Sequence, residues 1–179
     1  MTLANRITIL RIALIPVFVI LYIQESNYPA LKDWTLAIFA FAILTDLLDG
    51  LAARMRREKT KLGSFLDPLA DKLLLAACFT SFTYRGEIPL WMFVVIFSRD
   101  LIIVLGWTII YILTSSSSIE PRLLGKTSTF LQMSSAIAIL FPVPQEITAR
   151  LLQAMVTVTV ISALDYIWMG SKRLEPIPK

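Results

Sequence analysis

At 179 residues, 56% hydrophobic and only 17% charged, with a mean hydropathy of +0.72, the chain departs from the roughly one-quarter charged composition of soluble domains and reads as a single membrane domain over residues 1–179. It has no histidine and one cysteine, Cys78, which excludes an imidazole general base, histidine-ligated zinc or haem, a cysteine-cluster metal site and an intrachain disulfide framework. The net charge of +4, from 17 Lys+Arg against 13 Asp+Glu, lies mostly between apolar stretches, and no nucleic-acid partner is expected.

In chain order the apolar stretches cover residues 7–23, 34–53, 67–84, 89–113, 123–141 and 147–169. Each is close to the roughly 20 residues that cross a bilayer core, and each is expected to be helical because lipid offers the backbone no hydrogen bonds. The first is followed by no small-residue cleavage pattern and is expected to stay in the mature protein. Breakers are expected at Ser26 to Pro29, Gly63-Ser64, Gly86 to Pro89, Ser115 to Ser118 with Pro121, and Pro142-Val143-Pro144. The expected fold is therefore all-α, with six transmembrane helices.

Charge sets the expected orientation. The connection after the second stretch carries Arg54, Arg56, Arg57, Lys59 and Lys61 against Glu58. Arg122 and Lys126 outweigh Glu120, and Lys172, Arg173 and Lys179 outweigh Glu175. By the positive-inside rule these segments and both termini are cytoplasmic in an inner or plasma membrane. The basic loop also suits anionic lipid headgroups.

Stretches two and three hold the exception to the apolar pattern: Asp46, Asp49, Asp67 and Asp71. A carboxylate at a membrane helix centre costs about 2.5–3.5 kcal/mol on translocon scales, so four near one site need cations or water. Spacings of three and four put each pair on one helix face. A short connection makes the two helices antiparallel neighbours, so the pairs converge in a polar cavity at the cytoplasmic side. Two divalent cations would offset the charge, and an all-oxygen donor set without His or Cys suits Mg²⁺ or Mn²⁺. Gly50 bares the helix surface for close approach of a phosphate, and Arg54 supplies a forked donor to it. The plain alternative is that the aspartates cap helix ends and pair with Arg54, Arg56 and Lys72.

Asp46, Asp49, Gly50, Ala53 and Arg54, then eight residues, then Gly63, Asp67 and Asp71 fill every fixed position of Asp-x-x-Asp-Gly-x-x-Ala-Arg…Gly-x-x-x-Asp-x-x-x-Asp. On this motif the chain resembles the CDP-alcohol phosphotransferases, integral membrane enzymes whose six-span layout is similar over essentially the whole chain. The resemblance implies transfer of the phosphatidyl group of CDP-diacylglycerol to an alcohol, with release of CMP. It also implies that Asp46, Asp49 and Asp67 hold metal, and that Asp71 is the general base for the acceptor hydroxyl and an additional metal contact. Gly50, Ala53, Arg54 and Gly63 would line the nucleotide site. A homodimer, common in the family, could use the small-residue faces at Ala37, Ala40 and Ala42 and at Ser134, Ser135 and Ala138.

The acceptor side is expected from three further groups. Asn5, Thr8 and Arg11 recur every third residue where the first stretch begins, as in glycerophospholipid-making members of the family, and are candidate substrate contacts; the alternative for Arg11 is a snorkelling interfacial cation. Arg99-Asp100 interrupts the fourth stretch, and Lys126, Thr129 and Gln132 run along one face of the fifth, the expected acceptor side of the cavity. Arg99 and Lys126 are the natural partners of an acceptor phosphate, with an Arg99–Asp pairing as the structural alternative. The glycerol 3-phosphate-using branch of the family resembles Arg-Glu, a later Arg, and Gly-Lys-x-Lys-Thr. Here Asp100, Trp107 with apolar neighbours, and Ser128 depart from it. Glycerol 3-phosphate is the expected acceptor, with phosphatidylglycerol, as in CMP-forming cardiolipin synthesis, the alternative. Aspartate-rich prenyltransferases and carboxylate-lined cation transporters are remoter alternatives. Trp34, Tyr84, Trp91, Tyr111 and Tyr166 read as an interfacial aromatic belt.

Overall fold

A computed structural model describes residues 3–56, 61–114 and 123–174, and side chains within 7–45, 69–105 and 123–169. Every regular element among them is helical. In order these are α1 (Leu3–Gln24), a 3₁₀ turn (Pro29–Leu31), α2 (Lys32–Arg56), α3 (Lys61–Tyr84), α4 (Leu90–Thr114), α5 (Leu123–Leu140) and α6 (Gln145–Leu174). The all-helical expectation holds, and each expected stretch lies on one of these helices. Among the described residues, two segments, Ile7–Gln24 and Gln145–Met169, are long and apolar enough to cross a membrane.

Of the expected breakers that fall among the described residues, one does not act. α3 ends where Gly86 adopts φ +74°, with its N–H bonded to Thr83 O at 3.0 Å and the Glu87 N–H to Phe82 O at 2.9 Å. These paired bonds close the last turn, and only glycine enters that backbone region without steric cost. Pro142 to Pro144 separates α5 from α6 as expected. Gly63-Ser64 does not break the chain, because α3 begins at Lys61 and contains both. One glycine costs about 1 kcal/mol in a helix interior, too little to end a 24-residue helix. The expected break at Ser115 to Ser118 and Pro121 lies outside the described residues.

The chain forms two compact units, Met1–Glu87 and Ile88–Lys179. In the first, α1 packs against both α2 and α3. Phe18 meets Phe39 of α2 with ring centroids 5.7 Å apart, and Tyr22 meets Phe82 of α3 edge-on at 5.3 Å. Such pairs add about 0.5–1.5 kcal/mol each beyond area burial. Arg11 contacts Asp71, and eleven residues further along each helix Tyr22 contacts Phe82, so α1 and α3 run parallel. The far end of this pair is pinned by Arg85, whose guanidinium lies 4.5 Å over the Tyr22 ring. Arg85 also sits between Glu25 at 3.7 Å and Glu87 at 3.4 Å, and the Tyr22 hydroxyl donates to Glu87.

In the second unit α6 is central, packed on α4 and α5. Its contact with α5 is a polar seam. Ser128, Gln132 and Ser135 on α5 are buried, as are Thr159 and Ser162 on α6, and the Ser128 and Thr159 hydroxyls bond at 2.9 Å. Small residues and hydroxyl bonds of this kind let two helices approach closely. Ala42, Ser135 and Ala138, expected as dimer-forming small residues, are buried within the single chain.

Candidate active site

α2 runs unbroken through Asp46 and Asp49, and α3 through Asp67 and Asp71. The helical register that the spacing argument assumes is therefore present. The side chains of Asp46, Asp49, Asp67, Ala53, Arg54 and Asn5 lie outside the described residues, as do the surroundings of Gly50 and Gly63. No group of three metal-ligating side chains occurs among those that are described. Asp71 is the one carboxylate of the four whose environment is defined.

That environment is set by α1. Thr8 and Arg11, one turn apart, are both buried, Arg11 with 1% of its surface exposed. Arg11 Nη1 donates to Asp71 Oδ1 at 2.9 Å, while the Asp71 side chain remains 38% exposed. The snorkelling reading of Arg11 is thus overturned, since the guanidinium turns inward to a carboxylate sixty positions away in sequence. A charge this deep must be paired. Removing one partner of a buried ion pair costs about 3–5 kcal/mol, and water access to Asp71 puts this pair toward the lower end.

Arg99 of α4 is 3% exposed and bonded within the protein. Nη1 donates to Asp100 Oδ1 at 2.5 Å, and Nη2 donates to Gly125 O and Ser162 Oγ, each at 3.3 Å. One guanidinium therefore joins α4, the start of α5 and α6. Gly125 is shaped by it, because a Cβ there would stand 3.1 Å from Arg99 Nη2 and 3.5 Å from the Tyr166 hydroxyl. The expected pairing of Arg99 with Asp100 is present. The part of Arg99 expected to meet an acceptor phosphate is engaged by Gly125 and Ser162.

Lys126, the next residue, is exposed at the start of α5. The expected common face of Lys126, Thr129 and Gln132 divides. Thr129 bonds back to Gly125 O at 3.1 Å. Gln132 is fully buried, and neither polar atom of its amide has a hydrogen-bond partner among the described residues. Sequence reasoning missed Ser162 and the role of Tyr166. Ser162 carries no local signal, and Tyr166 packs beside Gly125 and not only in an aromatic belt. Trp34, Tyr84 and Trp91 are exposed as a belt requires.

The family description CDP-alcohol phosphatidyltransferase matches residues 1–164. A probable phosphatidylglycerophosphate synthase of Mycobacterium tuberculosis is 33% identical over 170 residues, covering 92% of this chain and 79% of that protein. The CDP-diacylglycerol–glycerol-3-phosphate 3-phosphatidyltransferase of Bacillus subtilis is 34% identical over 148 residues, covering 77% and 76%. The CMP-forming cardiolipin synthase of Homo sapiens is 31% identical over 197 residues, covering 98% of this chain and 64% of the relative.

Proposed function

Because the chain belongs to the CDP-alcohol phosphatidyltransferase family, we propose that it transfers the phosphatidyl group of CDP-diacylglycerol to glycerol 3-phosphate, giving phosphatidylglycerophosphate and CMP. The observation that carries this reading is the complete Asp46–Asp71 pattern on two continuous helices, with its last carboxylate accessible. Relatives named for the glycerol 3-phosphate reaction cover most of the chain.

In this reading Asp71 accepts the proton as the acceptor's O–H bond breaks. The acceptor oxygen bonds to the phosphorus that carries the diacylglycerol, and the bond from that phosphorus to CMP breaks. Asp46, Asp49 and Asp67, with Asp71, hold Mg²⁺ or Mn²⁺, and two ions suit four carboxylates. The all-carboxylate donor set fits such hard cations, in a chain with no histidine and with Cys78 buried elsewhere on α3. When bound, the metal offsets charge on the diphosphate and on the departing CMP. Gly50, Ala53, Arg54 and Gly63 form the nucleotide side. Asn5 belongs to the substrate-facing end of α1, whereas Thr8 is buried. Lys126 meets the acceptor phosphate, with Arg99 behind it fixing Gly125.

The protein is a membrane protein, and six spans with both termini and the active site cytoplasmic accommodate the described helices. Parallel α1 and α3 are what an alternating passage through the bilayer requires. A homodimer remains part of this proposal. One observation favours phosphatidylglycerol as acceptor instead: Arg99 is bonded to protein groups, which leaves fewer cations for an acceptor and suits a phosphodiester of charge −1. The direct test of the metal chemistry is chelation. CMP release from CDP-diacylglycerol and glycerol 3-phosphate should fall to background with chelator and return with Mg²⁺; release that persists in chelator would remove the metal from the reading.

A further inference from the structure

We infer that Arg11 is a positioning residue for Asp71, not a contact for either substrate. The inference rests on the reading of Asp71 as general base and deepens it. Exposure separates the two partners. Arg11, 1% exposed, cannot meet a substrate without leaving its place in the α1–α3 interface, whereas Asp71, 38% exposed, can be approached. Their bond is short and charge-assisted, Nη1 to Oδ1 at 2.9 Å, the stronger class of hydrogen bond. It engages one carboxylate oxygen and thereby fixes the rotamer of the group that must reach the acceptor hydroxyl.

The support behind Arg11 is rigid. Buried Thr8 lies one turn before it on α1, and further along the same helix pair Tyr22 and Phe82 lock the register between α1 and α3. A base held from behind by a buried cation on a neighbouring, register-locked helix matches what preorganisation demands. Misplacing a reacting group by about 1 Å can cost about 100-fold in rate.

The test separates kcat from KM in the full-length protein, with CMP release from CDP-diacylglycerol and glycerol 3-phosphate as the assay and equilibrium binding of CDP-diacylglycerol as an independent readout. Arg11→Ala should lower kcat by about 10–100-fold, leave both KM values within about twofold, and leave CDP-diacylglycerol binding unchanged. Arg11→Lys, which keeps a cation at shorter reach, should recover part of the loss. On the residual activity of Asp71→Asn, adding Arg11→Ala should cost nothing further. A tenfold rise in either KM with kcat held, weakened CDP-diacylglycerol binding, or losses that multiply in the double variant would overturn the inference and make Arg11 a substrate contact. If Arg11→Ala does not fold, Arg11→Lys decides by the same split. Full turnover by Asp71→Asn would instead remove Asp71 as the base, a separate failure visible without any Arg11 variant.

Discussion

Arg11 and Asp71 share one hydrogen bond yet sit in opposite environments, and the difference decides their roles. Asp71 keeps enough open surface to take a proton from an acceptor, so Asp71→Asn should reduce CMP release by about 10²–10⁴-fold. Equilibrium binding of CDP-diacylglycerol should be largely retained in that variant; lost binding together with lost folding would support a purely structural aspartate. The pattern of four aspartates was legible in the sequence because its spacing is local, three and four residues within a helix. The Arg11–Asp71 bond was not, because it joins residues sixty apart whose meeting depends on how α1 and α3 align. Gln132 was misread for a related reason. Its position in a three-residue repeat after Lys126 suggests a common face, but the side chain is fully buried while Lys126 is exposed.

Helices in this chain are joined by a few polar clamps as much as by apolar contact. Arg99 ties α4 to Gly125 of α5 and Ser162 of α6, and Gly125 leaves room for it. Gly125→Ala would place a methyl 3.1 Å from the guanidinium, an overpacking that costs about 1–3 kcal/mol. The variant should melt earlier and show a raised acceptor KM through displacement of Lys126, whereas unchanged melting and KM would mean that the clamp yields freely. Gln132 offers the converse case. Its buried amide has no partner among the described residues, and a buried polar group without a bond costs about 1–3 kcal/mol. Gln132→Leu should therefore keep or raise the thermal midpoint and leave CMP release intact. A lower midpoint or lost activity would show that the amide serves a bound group. The helices themselves were legible from apolar runs, with bounds shifted most where Gly63 and Ser64 failed to break α3. Arg99's bonds to Gly125 and Ser162 were not legible, because these partners lie on two other helices and Ser162 carries no local signature.

At the scale of the molecule, composition and hydropathy already pointed to a membrane protein, and the family match across residues 1–164 extends over both compact units. What the sequence left open was the acceptor. Relatives named for glycerol 3-phosphate and for cardiolipin synthesis lie at nearly equal identity, 33–34% and 31%. A shared fold does not decide between the two acceptors. The most direct measurement is CMP release by the purified protein with CDP-diacylglycerol and Mg²⁺, run in parallel with glycerol 3-phosphate and with phosphatidylglycerol. The account predicts release with glycerol 3-phosphate and background with phosphatidylglycerol; release with phosphatidylglycerol alone, or with neither, would contradict it.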